Sequence, residues 1–99
     1  MNKVKFDDSD CEVRFAKYGN GRTAIKLIHA DDHYPVATAS VNLPDVPLED
    51  DEIAIRDSEE NFGMLLALFA AGIVSTPIRF ERSGWIKIPI CKLLVEVPE

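Results

Sequence analysis

Apolar residues recur with a helical period over one stretch of the chain, between residues 50 and 74. Several of them fall on one side of a helical wheel and predict a single apolar face. They are Phe62, Leu65, Leu66, Phe69 and Ile73. Met64 and Leu68 widen this face until little of the helix remains polar. We therefore predict an amphipathic α-helix whose residues from Phe62 to Ile73 build the core.

The predicted helix carries capping signals at both ends. Asp57 is suited to the N-cap, and Glu60, three residues later, completes an acidic variant of the capping box. Together with Glu59, these residues place negative charge at the positive end of the helix dipole. Gly72 lies where a left-handed C-cap is expected.

Three segments before the helix alternate between apolar and polar residues, which predicts half-buried strands over 11–18, 22–30 and 35–43. Asn20-Gly21, between the first two, predicts a type I′ turn in which both residues take positive φ. The three strands are expected to form an antiparallel meander. Residues 1–6 and 53–56 are candidates for further short strands.

After the helix, strands are predicted over 78–82 and 85–90, on either side of a tight turn at Ser83-Gly84. The predicted fold class is α+β: an antiparallel sheet of about five or six strands, with one helix packed on one face. The predicted order is strand–strand–strand–(strand)–helix–strand–strand. The small residues at 37–40 are expected to let the helix approach the third strand closely. The alternative is a small open barrel plugged by the helix.

The composition is that of a globular protein, with 46% apolar and 28% charged residues in 99 positions. A single domain over residues 1–99 is expected. The start of the chain has no secretory h-region, and the apolar run from Met64 to Val74 is too short to span a bilayer. We therefore predict a cytoplasmic protein without membrane contact, in which Cys11 and Cys91 are reduced thiols.

The net charge of −6 is unevenly distributed along the chain. Residues 45–60 hold eight acidic residues against one base, Arg56. The acidic residues are Asp45, Glu49, Asp50, Asp51, Glu52, Asp57, Glu59 and Glu60. This sign argues against direct binding of nucleic acid. It permits a partner protein with a basic surface.

Few residues suggest catalytic or metal chemistry. His29 and His33 bracket two aspartates, but the string crosses a turn and is interpreted as solvated rather than metal-binding. Asp57, Glu60 and Asn61 are an alternative acid–base set, although capping explains these residue types more simply. Trp85 is interpreted as a core or half-buried anchor rather than a ligand-stacking platform. No cofactor or metal is predicted.

Several short motifs together resemble a known family. They are YGNGR at 18–22, VNLP at 41–44, IxDxxENxG at 55–63, AGIV at 71–74, SGW at 83–85 and PIC at 89–91. The chain resembles, roughly from Tyr18 to Leu94, a family of small uncharacterised bacterial proteins, a domain of unknown function associated with phages, plasmids and mobile elements. The resemblance implies a mobile-element setting and no particular activity.

Three functional hypotheses follow. The first is a non-enzymatic binding protein of mobile-element origin that contacts a host or phage protein through an acidic surface. That surface comprises Glu49, Asp50, Asp51, Glu52, Asp57, Glu59, Glu60 and Asn61. The second is a small ligand-binding protein or hydrolase using His29 and His33 or the Asp57/Glu60/Asn61 set. The third is an assembly protein, a homodimer joined through an exposed sheet edge.

Overall fold

The computed structural model describes residues 2–97. Met1, Pro98 and Glu99 lie outside the described residues, and so do the first residue of the strand predicted over 1–6 and both ends of the domain predicted over 1–99. Residues 2–97 form seven strands, one 3₁₀ turn and one α-helix, which confirms an α+β protein made mostly of antiparallel sheet. The strands are β1 (Lys3–Phe6), β2 (Ser9–Lys17), β3 (Thr23–His29), β4 (Pro35–Thr38), β5 (Glu52–Ala54), β6 (Val74–Ser83) and β7 (Ile86–Leu93). The 3₁₀ turn is Glu59–Asn61, and the helix, α1, is Met64–Ala70. No helix within residues 2–97 is long and apolar enough to cross a membrane.

The first sheet has the order β1-β2-β3-β4, an antiparallel meander as predicted, extended by β1. The turn before β2 is Asp7-Asp8, where both residues take positive φ, 52° and 63°. The type I′ turn predicted at Asn20-Gly21 is wrong, because Gly21 has positive φ (87°) and Asn20 does not. Instead the N–H of Gly21 donates to the carbonyl oxygen of Tyr18, 2.9 Å away, and the loop is one residue longer.

The second sheet has the order β5-β7-β6, so the single sheet of the prediction is divided in two. The segment after β4 connects the two sheets through an isolated antiparallel bridge between Ser40 and Ile55. On either side of it, Val41 donates to Ala54 (3.1 Å) and Arg56 donates to Ala39 (2.9 Å) through backbone groups. The division arises because the chain leaves β4 after Thr38 and pairs only briefly with the next strand.

One main hydrophobic cluster draws on both sheets and on the helix. Its buried members are Val4, Phe6, Cys11, Ile25, Leu27, Ala39, Ile53, Ile55, Met64, Leu68, Ile73, Val74 and Cys91. The helix makes its main contacts with β1 and β6, the outer strands of the two sheets, rather than with the third strand as predicted. The arrangement is therefore two antiparallel sheets with one short helix, rather than one sheet with a helix on its face.

The helix is shorter than predicted, with seven residues. Glu59–Asn61 forms a 3₁₀ turn, and Gly63, at φ 92°, starts the α-helix. Gly63, and not Asp57 as predicted, is the N-cap residue, but Oδ1 of Asp57 accepts a hydrogen bond from the N–H of Leu65 at 2.9 Å and so still caps the first turn. Gly72 is the expected left-handed C-cap residue, at φ 76°.

The predicted core face of the helix is correct for Ile73, Met64 and Leu68, and Leu65 packs against the core, but it is wrong for the other three residues. Met64 and Leu68, one turn apart, are the helix residues that are fully buried. Leu66 and Phe69 are exposed, and Phe62, just before the helix, is 83% exposed. Because so short a helix lies between two strands, it presents one narrow stripe to the core and its remaining apolar side chains face outward.

Candidate functional site

The residues predicted to form one acidic surface belong to two segments with different structural roles. Glu49 to Glu52 lead into β5, and Asp57 to Asn61 lead into the helix. Within each segment, some of the side chains are engaged in contacts that stabilise the fold. These contacts decide which carboxylates are free to meet a partner.

Glu52 and Asp51 are engaged by cations of the second sheet. The Glu52 side chain is only 7% exposed; its Oε1 lies 3.1 Å from Nη2 of Arg79 and its Oε2 lies 3.9 Å from Nζ of Lys92. The hydrogen bond from Arg79 lowers the pKa of the Glu52 carboxyl group, and a further hydrogen bond from the backbone N–H of Glu49 acts in the same direction. Asp51 Oδ1 lies 3.1 Å from Lys92 Nζ. Both carboxylates therefore hold β5 to β6 and β7.

Glu49 and Asp50 remain exposed, and within residues 2–97 neither forms an ion pair. They line a surface cleft of about 360 Å³ between the loop before β5 and the β2–β3 turn. Lys17 and Arg22 lie on its opposite side. The cleft is thus of mixed charge rather than uniformly acidic.

The cleft is built where two of the sequence motifs meet, YGNGR at 18–22 and VNLP at 41–44. The guanidinium of Arg22 donates to the carbonyl oxygens of Leu43 and Val46, which fixes the loop after the Ser40 bridge. Nδ2 of Asn20 donates to Oδ1 of Asn42 at 3.2 Å. The motif residues therefore act chiefly as links between the hairpin and this loop.

The second segment has a mainly structural role. Asn61 is buried, and its Nδ2 donates to the carbonyl oxygens of Thr38 (2.7 Å) and Arg56 (3.2 Å). Asp57 caps the helix. Glu60 does not complete a capping box, and lies 3.4 Å from Arg56, which also approaches Glu59 at 3.9 Å. In this segment, only the carboxylates of Glu59 and Glu60 are exposed enough to meet a partner.

The histidines and cysteines do not assemble a reactive site in the part of the chain that the structure describes. His29 and His33 lie at the β3–β4 turn, and no group of three metal-ligating side chains occurs within residues 2–97. Cys11 and Cys91 are both buried, free thiols. Burial raises the pKa of Cys11, and burial, followed by the charge of Asp57, raises that of Cys91 to about 11. Neither thiol is disposed to act as a nucleophile at neutral pH.

The most exposed apolar side chain within residues 2–97, that of Trp85, lies on the β6–β7 hairpin, which the sequence did not identify as a site. Trp85 is 99% exposed, so its prediction as a core or half-buried anchor is wrong. Phe80 is 57% and Ile78 is 45% exposed, and Ile86 is also exposed. Gly84 takes φ 63° at the first central position of the turn, which places Trp85 at the second, directed away from the core.

Two cations stand opposite each other beside this exposed tryptophan. Arg82 and Lys87 are direct cross-strand partners, and both are exposed. Like charges in this position are mildly destabilising. No acidic side chain lies within 4 Å of either cation among the described residues.

Two signals in the sequence point to this hairpin. Ile78, Phe80 and Arg82 share one face of β6, and Arg79 and Glu81 lie on the other, so neither face has the uninterrupted apolar pattern of a core strand. A strand with a mixed pattern of this kind lies at an edge more often than in a core. The second signal is a tryptophan directly after a turn glycine.

Known proteins offer no assignment for either the cleft or the hairpin. Comparison of the chain with family models, with curated proteins and with solved structures found no match.

Proposed function

We propose that this chain is a non-enzymatic protein-binding protein that holds its partner through the end of the β6–β7 hairpin. The observation that carries the proposal is the 99% exposed side chain of Trp85. Tryptophan is the residue type most enriched among anchors of protein–protein contacts, and its large apolar surface is costly to leave in water. Held on a tight turn, this side chain is suited to enter an apolar pocket of a partner.

The neighbours of Trp85 define the chemistry of that partner. Phe80 and Ile86 extend the apolar surface, and Arg82 and Lys87 add two cations without acidic neighbours in the described part of the chain. An apolar pocket bordered by carboxylates would complement this combination. The proposed partner is therefore acidic at its contact site, in contrast to the basic partner predicted from the charge of residues 45–60.

The class of partner follows from the resemblance to proteins of mobile elements. Small proteins of such elements often act on host machinery, and we propose a host protein as the target. Nothing in this proposal requires a catalytic group, a metal or a cofactor.

The experiment is affinity capture from a bacterial lysate, with the wild-type chain and a Trp85→Ala variant as baits. A host protein retained by the first bait and lost from the second supports the proposal. Tyr34→Ala is the matched control, because Tyr34 is another exposed aromatic residue and lies on the β3–β4 turn. Retention of the same proteins by all three baits would refute the hairpin as the contact.

A purified partner then allows a direct measurement. Trp85 is the only tryptophan in the chain, so the fluorescence of the protein reports on this side chain alone. We expect the emission to shift to shorter wavelength when the partner covers it. Arg82→Glu combined with Lys87→Glu should weaken the same binding, because both cations then become like-charged with the acidic pocket.

The acidic loop is the second candidate, since Glu49 and Asp50 are exposed at the rim of the cleft and free of ion pairs among the described residues. A basic partner would be held there, as the charge of residues 45–60 predicts. Glu49→Lys combined with Asp50→Lys, used as a bait in the same assay, separates the two candidates. Loss of the partner from this bait, with retention by Trp85→Ala, would assign binding to the acidic loop.

A further inference from the structure

β6 is an outer strand with features that favour pairing with another strand. It has ten residues, which is long for an edge, and among residues 2–97 it pairs with β7 alone. Ile78 and Phe80 are exposed on it, although Pro77, with a register shift on either side, and the charged residues Arg79, Glu81 and Arg82 give this strand some features of a protected edge. An additional strand on this edge would cover both apolar side chains.

The pairing with β7 shows which backbone groups of β6 face outward. Phe80 lies directly opposite Pro89. Pro89 has no N–H, and its carbonyl oxygen accepts a hydrogen bond from Ile55 on the other side, at 3.0 Å. Phe80 therefore forms no backbone hydrogen bonds with the residue across from it. In an antiparallel ladder such a residue directs its N–H and C=O towards the opposite neighbour, which here is the open edge.

When the β6 strands of two copies pair antiparallel about a two-fold axis, the charges on β6 favour one register. With the two-fold axis at Phe80, Arg79 of each copy lies opposite Glu81 of the other, and the two Phe80 side chains form a cross-strand aromatic pair. An axis at Arg79 would set two arginines opposite each other, and an axis at Glu81 would set two glutamates opposite each other. An axis between two residues would set residues from the exposed face of one strand opposite residues from the half-buried face of the other.

We propose that two copies of this chain form an antiparallel dimer through β6, centred on Phe80. The regular part of β6 that is available for pairing runs from Arg79 to Ser83, since the register with β7 shifts on either side of Pro77 and the turn at Gly84 ends the strand. Within it, the pairing is centred on Phe80 and flanked by the two Arg79–Glu81 pairs. The central Phe80 pair exchanges two backbone hydrogen bonds.

The dimer shares Phe80 and Arg82 with the proposed partner surface but does not include Trp85, which carries the partner proposal. Trp85 lies beyond the paired segment, so it remains available to a partner when two copies are joined. The dimer and the partner binding through Trp85 can therefore be refuted separately. Trp85→Ala should abolish partner capture and leave the dimer intact.

Sedimentation velocity over a wide concentration series is the first measurement. We expect wild-type protein to approach twice the monomer mass of 11.0 kDa as its concentration rises. Phe80→Pro should remain a folded monomer, because it removes an outward N–H and preserves the pairing with β7. A wild-type protein that stays monomeric, a Phe80→Pro variant that still dimerises, or a Trp85→Ala variant that does not would each overturn the proposal.

Charge complementation tests the register. Arg79→Glu alone and Glu81→Arg alone each place like charges opposite each other in both halves of the dimer, so each should be monomeric; because Arg79 also pairs with Glu52 and Glu81 within one chain, the fold of each variant is measured before its mass. A mixture of the two variants restores both complementary pairs and should dimerise. Circular dichroism establishes that each variant is folded. A mixture that stays monomeric, with both variants folded, would refute the axis at Phe80.

Discussion

The guanidinium of Arg79 on β6 lies 3.1 Å from the carboxylate of Glu52 on β5, and so it spans the intervening strand β7. Arg79 also donates to Glu81 at 2.9 Å and to the carbonyl oxygen of Pro47 at 3.0 Å. One side chain thus connects both outer strands of the second sheet with the loop that precedes β5. This relationship explains why part of the predicted acidic surface is already neutralised within the fold.

The stability that Glu52 provides should depend on pH. Because Arg79 lowers the pKa of Glu52 in the folded state, its ionised carboxylate stabilises the fold above the ordinary pKa of about 4.3. This contribution is lost as the pH falls through the lower, folded-state pKa. We expect Glu52→Gln to reduce the urea midpoint at neutral pH, and the difference from wild type to shrink below about pH 4.

Glu49→Gln is the matched control for this prediction. It removes a nearby carboxylate that has no ion-pair partner in the described part of the chain. Its urea midpoint should therefore stay close to wild type at neutral pH. A gap between wild type and Glu52→Gln that is constant from pH 7 to pH 3 would contradict the role assigned to the Arg79 contact.

Asn61 should contribute more to stability than its polar character suggests. Its buried side chain donates to the carbonyl oxygens of Thr38 and Arg56, so Asn61→Ala removes two part-buried hydrogen bonds. We expect a loss of about 1–3 kcal/mol in the free energy of unfolding, measured by urea denaturation. Asn42→Ala, which removes the exposed contact with Asn20, should cost within about 0.5 kcal/mol. Equal costs for the two variants would refute the structural role of Asn61.

The strands were largely predictable from the sequence, because alternation follows directly from the geometry of a half-buried strand. Their division into two sheets was not, because it depends on a single bridge between Ser40 and Ile55 that leaves no periodic pattern. The two consecutive positive φ values of a type I′ turn were predicted at the wrong hairpin. Asp7-Asp8 adopts the two positive φ values, whereas the loop at Asn20-Gly21 is extended by one residue, with Tyr18 accepting from Gly21.

The candidate site was less predictable than the strands. Charge counts along a sequence do not reveal that Glu52 and Asp51 meet Arg79 and Lys92, since those cations come from strands far away in the chain. Exposure of Trp85 was missed for a related reason. Its hydrophobicity indicates burial, and only the placement of the turn at Gly84 determines that the side chain faces solvent.

The thiols should be inert in the native protein and should become reactive on unfolding. Burial raises the pKa of both, to about 11 for Cys91, so at neutral pH almost no thiolate is present in the fold. We expect iodoacetamide to label neither cysteine until denaturant is added, as measured by mass spectrometry. Rapid labelling of either cysteine in native protein would contradict its burial.

The raised pKa of Cys91 also predicts an effect at alkaline pH. The unfolded chain ionises at the ordinary thiol pKa of about 8.5, before the folded chain does, so stability is full below that pH and is lost as the pH rises towards about 11. Cys91→Ala should remove this part of the alkaline loss. The comparison uses the pH dependence of the unfolding free energy, because the substitution also lowers its absolute value by leaving a cavity. The same dependence of the unfolding free energy on pH in wild type and in Cys91→Ala would contradict the prediction.

Two leucines of the helix test which of its faces belongs to the core. Leu68 is fully buried among residues of both sheets, whereas Leu66 is exposed, although the sequence predicts a core position for both. Leu68→Ala removes packed methyl groups and leaves a cavity, so we expect a loss of about 2–5 kcal/mol. Leu66→Ala is the same chemical change at a solvent-facing site and should cost within about 0.5 kcal/mol. Urea denaturation of both variants measures the difference, and equal losses would mean that Leu66 is covered in solution, as a helix face buried against another surface would be.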